Sequence, residues 1–131
     1  MTTHIMSMTY GPKIEGVRDG TIRQTIRKFN PKRPFEVGEK LLIHGWVNQP
    51  YRTPWSWRFE SRVKEVYDLE CYVDYVVQDG WLRWSWGEAF PVHIAQLDGI
   101  SPPTGQALKE ILERYHGKFT DEAVRFQIIR W

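Results

Sequence analysis

Residues 70–86 read Glu70-Cys71-Tyr72-Val73-Asp74-Tyr75-Val76-Val77-Gln78-Asp79-Gly80-Trp81-Leu82-Arg83-Trp84-Ser85-Trp86. Two runs rich in β-branched and aromatic residues flank Asp79-Gly80, a dipeptide that tolerates the positive φ angles of a tight hairpin turn. The stretch predicts strands over 70–77 and 81–86 joined by that turn. Alternation in the second run puts Leu82, Trp84 and Trp86 on one face and Trp81 with Arg83 on the other, so one buried face holds only part of this tryptophan cluster.

Upstream, residues 57–67 alternate Trp57, Phe59, Ser61, Val63 and Glu65 with Arg58, Glu60, Arg62 and Lys64, which predicts a half-buried strand with one wet face. Residues 40–46 and 123–131 are short, apolar and β-branched enough to be largely buried strands, and 24–27 begins another. One helix follows from Leu108, Ile111, Leu112 and Tyr115 at i, i+3, i+4, i+7, with Ser101 or Thr104 as N-cap and Gly117 past its end. Pro91–Leu97, stopped by Asp98-Gly99, predicts a second short helix and Pro12–Arg18 a third. These elements predict one α+β domain over 1–131, with about six strands in a small curled sheet or barrel and two or three helices.

A chain of 131 residues supports a single core without staples, and its one cysteine excludes an intramolecular disulfide. A reducing, cytoplasmic setting is the expectation. No apolar run approaches the roughly 18 residues of a membrane helix, and the opening MTTHIMSMTYG lacks the features of a signal peptide, so a soluble protein without a membrane partner is expected. Net charge is +2, but residues 13–40 carry eight basic against four acidic side chains, a balance of +4. That asymmetry suits either an anionic partner or a solvated, charge-mixed surface.

The spacings of metal sites are missing, with His4, His44, His93 and His116 scattered, so neither metal nor cofactor is expected. There is no nucleophile elbow, and Cys71 lies in an apolar strand near carboxylates, where its thiolate is disfavoured. Phosphate-cradling glycine loops are absent, and Glu110 with Glu113 alternates with Lys109 and Arg114 on a solvated helix face. What remains is residues 20–28, GTIRQTIRK, where alternation puts Thr25 and Arg27 on one face, with Arg23 able to join them, and Ile26 on the other. Forked guanidiniums beside a hydroxyl suit phosphate oxygens or a base edge; the same charges also protect an edge strand.

Gly20-Thr21-Ile22-Arg23-Gln24-Thr25-Ile26-Arg27 resembles the G-x-K-x-x-T-x-R signature of the ASCH domain family, a branch of the PUA-like β-barrel superfold associated with RNA. Its Gly, Thr and Arg match, and Ile22 stands at the signature lysine. Phe35-Glu36-Val37-Gly38-Glu39-Lys40-Leu41 resembles the family's F-x-x-G-D-x-L step, Trp46 followed by Pro50-Tyr51-Arg52 resembles its W and pYR segment, and Leu97-Asp98-Gly99-Ile100 resembles its acidic-Gly-hydrophobic element. Residues 53–92 match in strand pattern alone.

The resemblance implies a cleft for RNA or a modified nucleoside. Some members hydrolyse the amide of acetylated cytidine with the signature Lys, the Thr and an acid, and another subgroup is assigned ribonuclease activity. Carried over, the Thr is Thr25 and the acid Asp98, which as a helix-boundary residue has an alternative role. Isoleucine has no titratable group and Arg23 stays protonated, so binding survives the change at Ile22 better than catalysis does. The expectation is a module for single-stranded or modified RNA, in which Lys13, Arg23, Arg27, Lys28 and Arg52 meet phosphates and Thr25 hydrogen-bonds. Trp46 or Tyr51 would stack on a base or else pack in the core at a strand end. Two alternatives stand beside it. One is a nucleoside amidohydrolase or ribonuclease with Thr25, Asp98 and Arg23 at its centre; the other is a protein-interaction domain using Trp81, Trp84 and Trp86.

Overall fold

The computed structural model describes residues 2–9, 11–46, 52–87 and 90–131. Among them, eight strands and three helices follow in the order β1 (Thr3–Ser7), α1 (Gly11–Asp19), β2 (Gln24–Lys28), β3 (Lys40–Trp46), β4 (Trp55–Arg62), β5 (Glu65–Cys71), β6 (Tyr75–Gln78), β7 (Leu82–Ser85), α2 (Val92–Leu97), α3 (Gly105–His116) and β8 (Val124–Arg130). The α+β class stands, with more strands than the six expected. The strands pair as two sheets, β1-β3-β4 and β2-β8-β5-β6-β7, and their ladders do not close into a barrel.

The extra strands come from β1, which the sequence reading passed over, and from a break in the alternating run 57–67. That run leaves one sheet and enters the other. Val63 exchanges backbone hydrogen bonds with Gly38 and Glu39, and then the Lys64 N–H donates to the Arg130 carbonyl of the second sheet. Trp57, Phe59 and Val63 point into one core from the first sheet, whereas Val66 reaches that core from the second with the opposite parity. Alternation cannot reveal this corner, because both halves bury every second residue. Residues 70–77 likewise divide: Cys71 ends β5, and the Tyr72 N–H donates to the Tyr75 carbonyl across a turn. The Asp79-Gly80 turn forms as predicted, with φ of 53° and 80° at its two residues and Gln78 opposite Leu82.

Strand β8 separates two cores. Its run Phe126, Gln127, Ile128, Ile129 is buried throughout, as a strand covered on both faces must be. Phe126 and Ile128 join Leu69, Cys71, Val76, Trp86, Ile94, Leu108 and Leu112 beneath α2 and α3. Ile129 and Trp131 join Met6, Met8, Val17, Leu41 and Ile43 between the two sheets and α1. Thr104 caps α3, its Oγ1 accepting from the Ala107 N–H at 3.1 Å, and Gly117 ends it at φ 90°.

Candidate functional site

Because β2 lies at the edge of the five-stranded sheet, one side of it has no strand neighbour among the described residues. A cleft of about 320 Å³ runs along that edge, between the end of β1 with α1 on one side and α3 on the other. Thr25, Ile26, Arg27 and Lys28 form its β2 wall. The Trp131 N–H donates to the Arg23 carbonyl and the Phe29 N–H to the Arg125 carbonyl. By antiparallel alternation, Ile26 therefore turns its backbone N–H and C=O away from β8, toward the open edge. The cleft thus offers a main-chain donor and acceptor besides its side chains.

Lys13 and Asp98 meet in the same cleft, Nζ 3.2 Å from Oδ1, with their side chains 7% and 9% exposed. Burial lowers the Lys13 amine below the ordinary lysine range, and the Arg27 charge adds to this while Asp98 opposes it. Burial raises the Asp98 carboxyl, against the pull of Lys13 and Gln24. Burial thus works against both charges, and each is held by the opposite charge of its partner. The pair is held from behind. Gln24 Nε2 donates to the Ile94 carbonyl at 2.9 Å and reaches Asp98 Oδ1 at 3.5 Å, while its Oε1 accepts from Arg130 Nε at 2.8 Å.

Arg27 Nη2 donates to the Ser7 carbonyl at 2.8 Å, joining the cleft wall to the edge strand β1. Its charge also acts on the buried His44 imidazole, which burial already holds below the ordinary histidine range. Across the cleft, α3 presents Ile111, Leu112, Tyr115 and His116, with Tyr115 54% exposed at the rim. The arrangement combines three cations, a carboxyl, hydroxyls and an apolar wall, which suits an anionic ligand with a flat body.

Of the residues singled out in the sequence, Lys13, Thr25, Arg27, Lys28 and Asp98 line this one cleft. Arg23 does not. Its Nε donates to the Gly20 carbonyl, and with Lys64 and Trp131 it borders two other hollows, of about 340 and 550 Å³. Trp46 is half-buried edge-on to His44, Arg52 is exposed in a turn, and Tyr51 falls outside the described residues. In the 81–86 run Trp86 is core at 4% exposure and Trp84 packs against it, so Trp81, 75% exposed, carries that surface alone.

The reading from sequence missed Ser7, Met8 and Thr9, which enter the cleft because β1 pairs in parallel with β3, a contact without local signal. Of the α3 stripe, Ile111 packs against the core and also lines the cleft, whereas Tyr115 is exposed at its rim. Ile22 fills space between α1 and Gly99: its Cδ1 lies 2.3 Å from where a Gly16 Cβ would sit and 2.6 Å from one at Gly99. The amine of the cleft comes instead from Lys13, whose Cγ borders the same Gly99 position at 3.7 Å. Among the described residues, no three His, Cys, Asp or Glu side chains converge as a metal site would need, and no helix is long and apolar enough to cross a membrane. Compared with protein-family models, with curated proteins and with solved structures, the chain finds no match.

Proposed function

We propose that this protein is a nucleotide-binding module of the ASCH type, with its two sheets in a PUA-like arrangement, that takes one nucleotide of single-stranded or modified RNA into the cleft along β2. The observation that carries this reading is the convergence of Lys13, Thr25, Arg27, Lys28 and Asp98 on one cleft of about 320 Å³ at an open strand edge. That volume falls at the small end of ligand sites, the scale of a single nucleoside. Lys28 and Arg27 face the phosphate, while Thr25 and the Ile26 main chain face the base edge. A reducing, cytoplasmic setting goes with this reading.

The test is fluorescence-anisotropy titration of a fluorescein-labelled single-stranded octaribonucleotide at three salt concentrations. Lys28→Ala is expected to lower the salt slope by about one unit, and Thr25→Val to weaken binding without changing the slope. Binding that neither substitution alters removes the cleft from the function.

A second reading has its own support, the buried Lys13–Asp98 pair beside Thr25. A lysine whose proton affinity is lowered by burial serves as a general base near neutral pH, and here it stands in for the amine absent at Ile22. In an amidohydrolase of acylated nucleosides, Lys13 would take a proton from water as its oxygen bonds to the amide carbon, Asp98 would stabilise the resulting ammonium, and that ammonium would return the proton to the nucleoside nitrogen as the C–N bond breaks, releasing acetate and the free amine. Incubation with N4-acetylcytidine tests it: release of acetate that Lys13→Met abolishes supports the enzyme, and no turnover leaves the binding module.

A further inference from the structure

The outer face of the three-stranded sheet carries an aromatic group that the cleft does not use. His44 and Trp55 stack with ring centroids 3.8 Å apart and planes 15° apart, and Trp46 meets the imidazole edge-on at 4.8 Å. His44 is 3% exposed and Trp55 37%, so the indole covers the imidazole and still keeps over a third of its surface in solvent. The core does not need these rings. Leu41, Ile43, Trp57 and Phe59, on the opposite face of β3 and β4, already fill the space between the sheets.

The group adjoins the cleft. Ser7 and Met8 line the cleft, Ser7 pairs in register with His44, and the Met8 N–H donates to the His44 carbonyl at 2.9 Å. The aromatic face therefore begins one strand spacing, about 4.8 Å, from the cleft wall. Arg27 stands at the junction, donating to the Ser7 carbonyl. The surrounding charge is mainly positive: Arg58 lies directly across β4 from His44, and the exposed Arg52 precedes Trp55 by three residues, with Glu60 the nearest acid along the strand. A flat, partly solvated indole on an aromatic backing, in a stretch that carries the exposed Arg52 and Arg58, matches a nucleobase and its phosphate.

We propose that Trp55, backed by His44 and Trp46, is a stacking platform for a second nucleobase, so that the ligand is single-stranded RNA of at least two nucleotides, one in the cleft and its neighbour on Trp55. This rests on the nucleotide-binding reading of the cleft. The platform supplies affinity without sequence preference, because every base has a stacking face, while the cleft supplies selection.

The experiment compares a fluorescein-labelled octaribonucleotide, followed by anisotropy, with cytidine and adenosine 5′-monophosphates as competitors. Trp55→Ala is expected to weaken octamer binding about tenfold and leave the monophosphate competition constants unchanged, with Trp55→Phe recovering most of the loss. Thr25→Val is expected to weaken both ligands. The recovery by Phe, together with unchanged circular dichroism, separates lost stacking from lost folding. Octamer affinity unaffected by Trp55→Ala while Thr25→Val weakens both ligands overturns the platform and leaves the cleft reading standing. Loss at Trp55 alone, with Thr25→Val and Lys28→Ala silent, overturns the two-site ligand and the cleft reading together. A concentration-dependent dimer that Trp55→Ala dissolves, with RNA affinity unchanged, makes this face a contact between copies and overturns the proposal.

Discussion

Lys13 Nζ lies 3.2 Å from Asp98 Oδ1, both side chains almost wholly out of solvent, and the contact ties α1 to the end of α2 across the head of the cleft. Two charges buried this deeply gain little over an apolar pair but are costly to separate. Lys13→Met alone or Asp98→Leu alone is expected to cost about 3–5 kcal/mol, because each strands the other ion. The double substitution is expected to be far less costly than the two singles summed. Urea unfolding of the three variants measures the coupling, and simple additivity would show that the contact carries no energy.

His44 makes stability depend on pH in a definite direction. Burial, reinforced by Arg27 and opposed by the Gly45 carbonyl, holds the folded imidazole below its ordinary value of 6.5. Between the folded value and 6.5 the unfolded chain binds more protons than the native one, so stability is complete above this window and is lost as pH falls through it. Asp98, raised by burial above its ordinary value of 3.8, acts in the opposite sense over the window above that value. The stability difference between wild type and His44→Gln is therefore expected to shrink on acidification from pH 7 to 5. An unchanged difference across that range contradicts a neutral, buried His44.

Cys71 is fully buried, and burial pushes its thiol well above the ordinary cysteine range. In native protein at pH 8 it is expected to resist Ellman's reagent, reacting at a rate set by unfolding and rising with urea. Rapid labelling of folded protein would mean that the first core opens locally at β5.

Gly99 combines a positive φ of 77° with a Cβ position 2.6 Å from Ile22 Cδ1. Gly99→Ala is expected to destabilise by roughly 2–4 kcal/mol, from left-handed backbone strain and overpacking together. The additional substitution Ile22→Val is expected to recover part of that loss, because it removes the Cδ1 atom. Thermal unfolding of the single and double variants checks this, and a Gly99→Ala protein as stable as wild type would mean that Ile22 moves aside freely.

Much of this molecule follows from local sequence. The Asp79-Gly80 turn, the Leu108–Tyr115 stripe with its Thr104 cap, and the alternation that turns Thr25 away from Ile26 depend on backbone sterics and side-chain period, which act within a few residues. So does the character of GTIRQTIRK as a strand bearing cations and a hydroxyl. Tertiary structure alone decided what that strand faces. Lys13 and Asp98 are far apart in sequence, and they meet because α1 and α2 pack around Ile22 at two glycines, Gly16 and Gly99. β1 became a wall of the cleft through parallel pairing with β3, and Arg23, one residue before β2, turned to Gly20 and away from the site. The alternating run 57–67 concealed a passage between sheets because both halves bury one face. Local chemistry fixes the period and the turns, whereas the partners of a buried charge or a strand edge are set by long-range packing, which leaves no periodic trace in the chain.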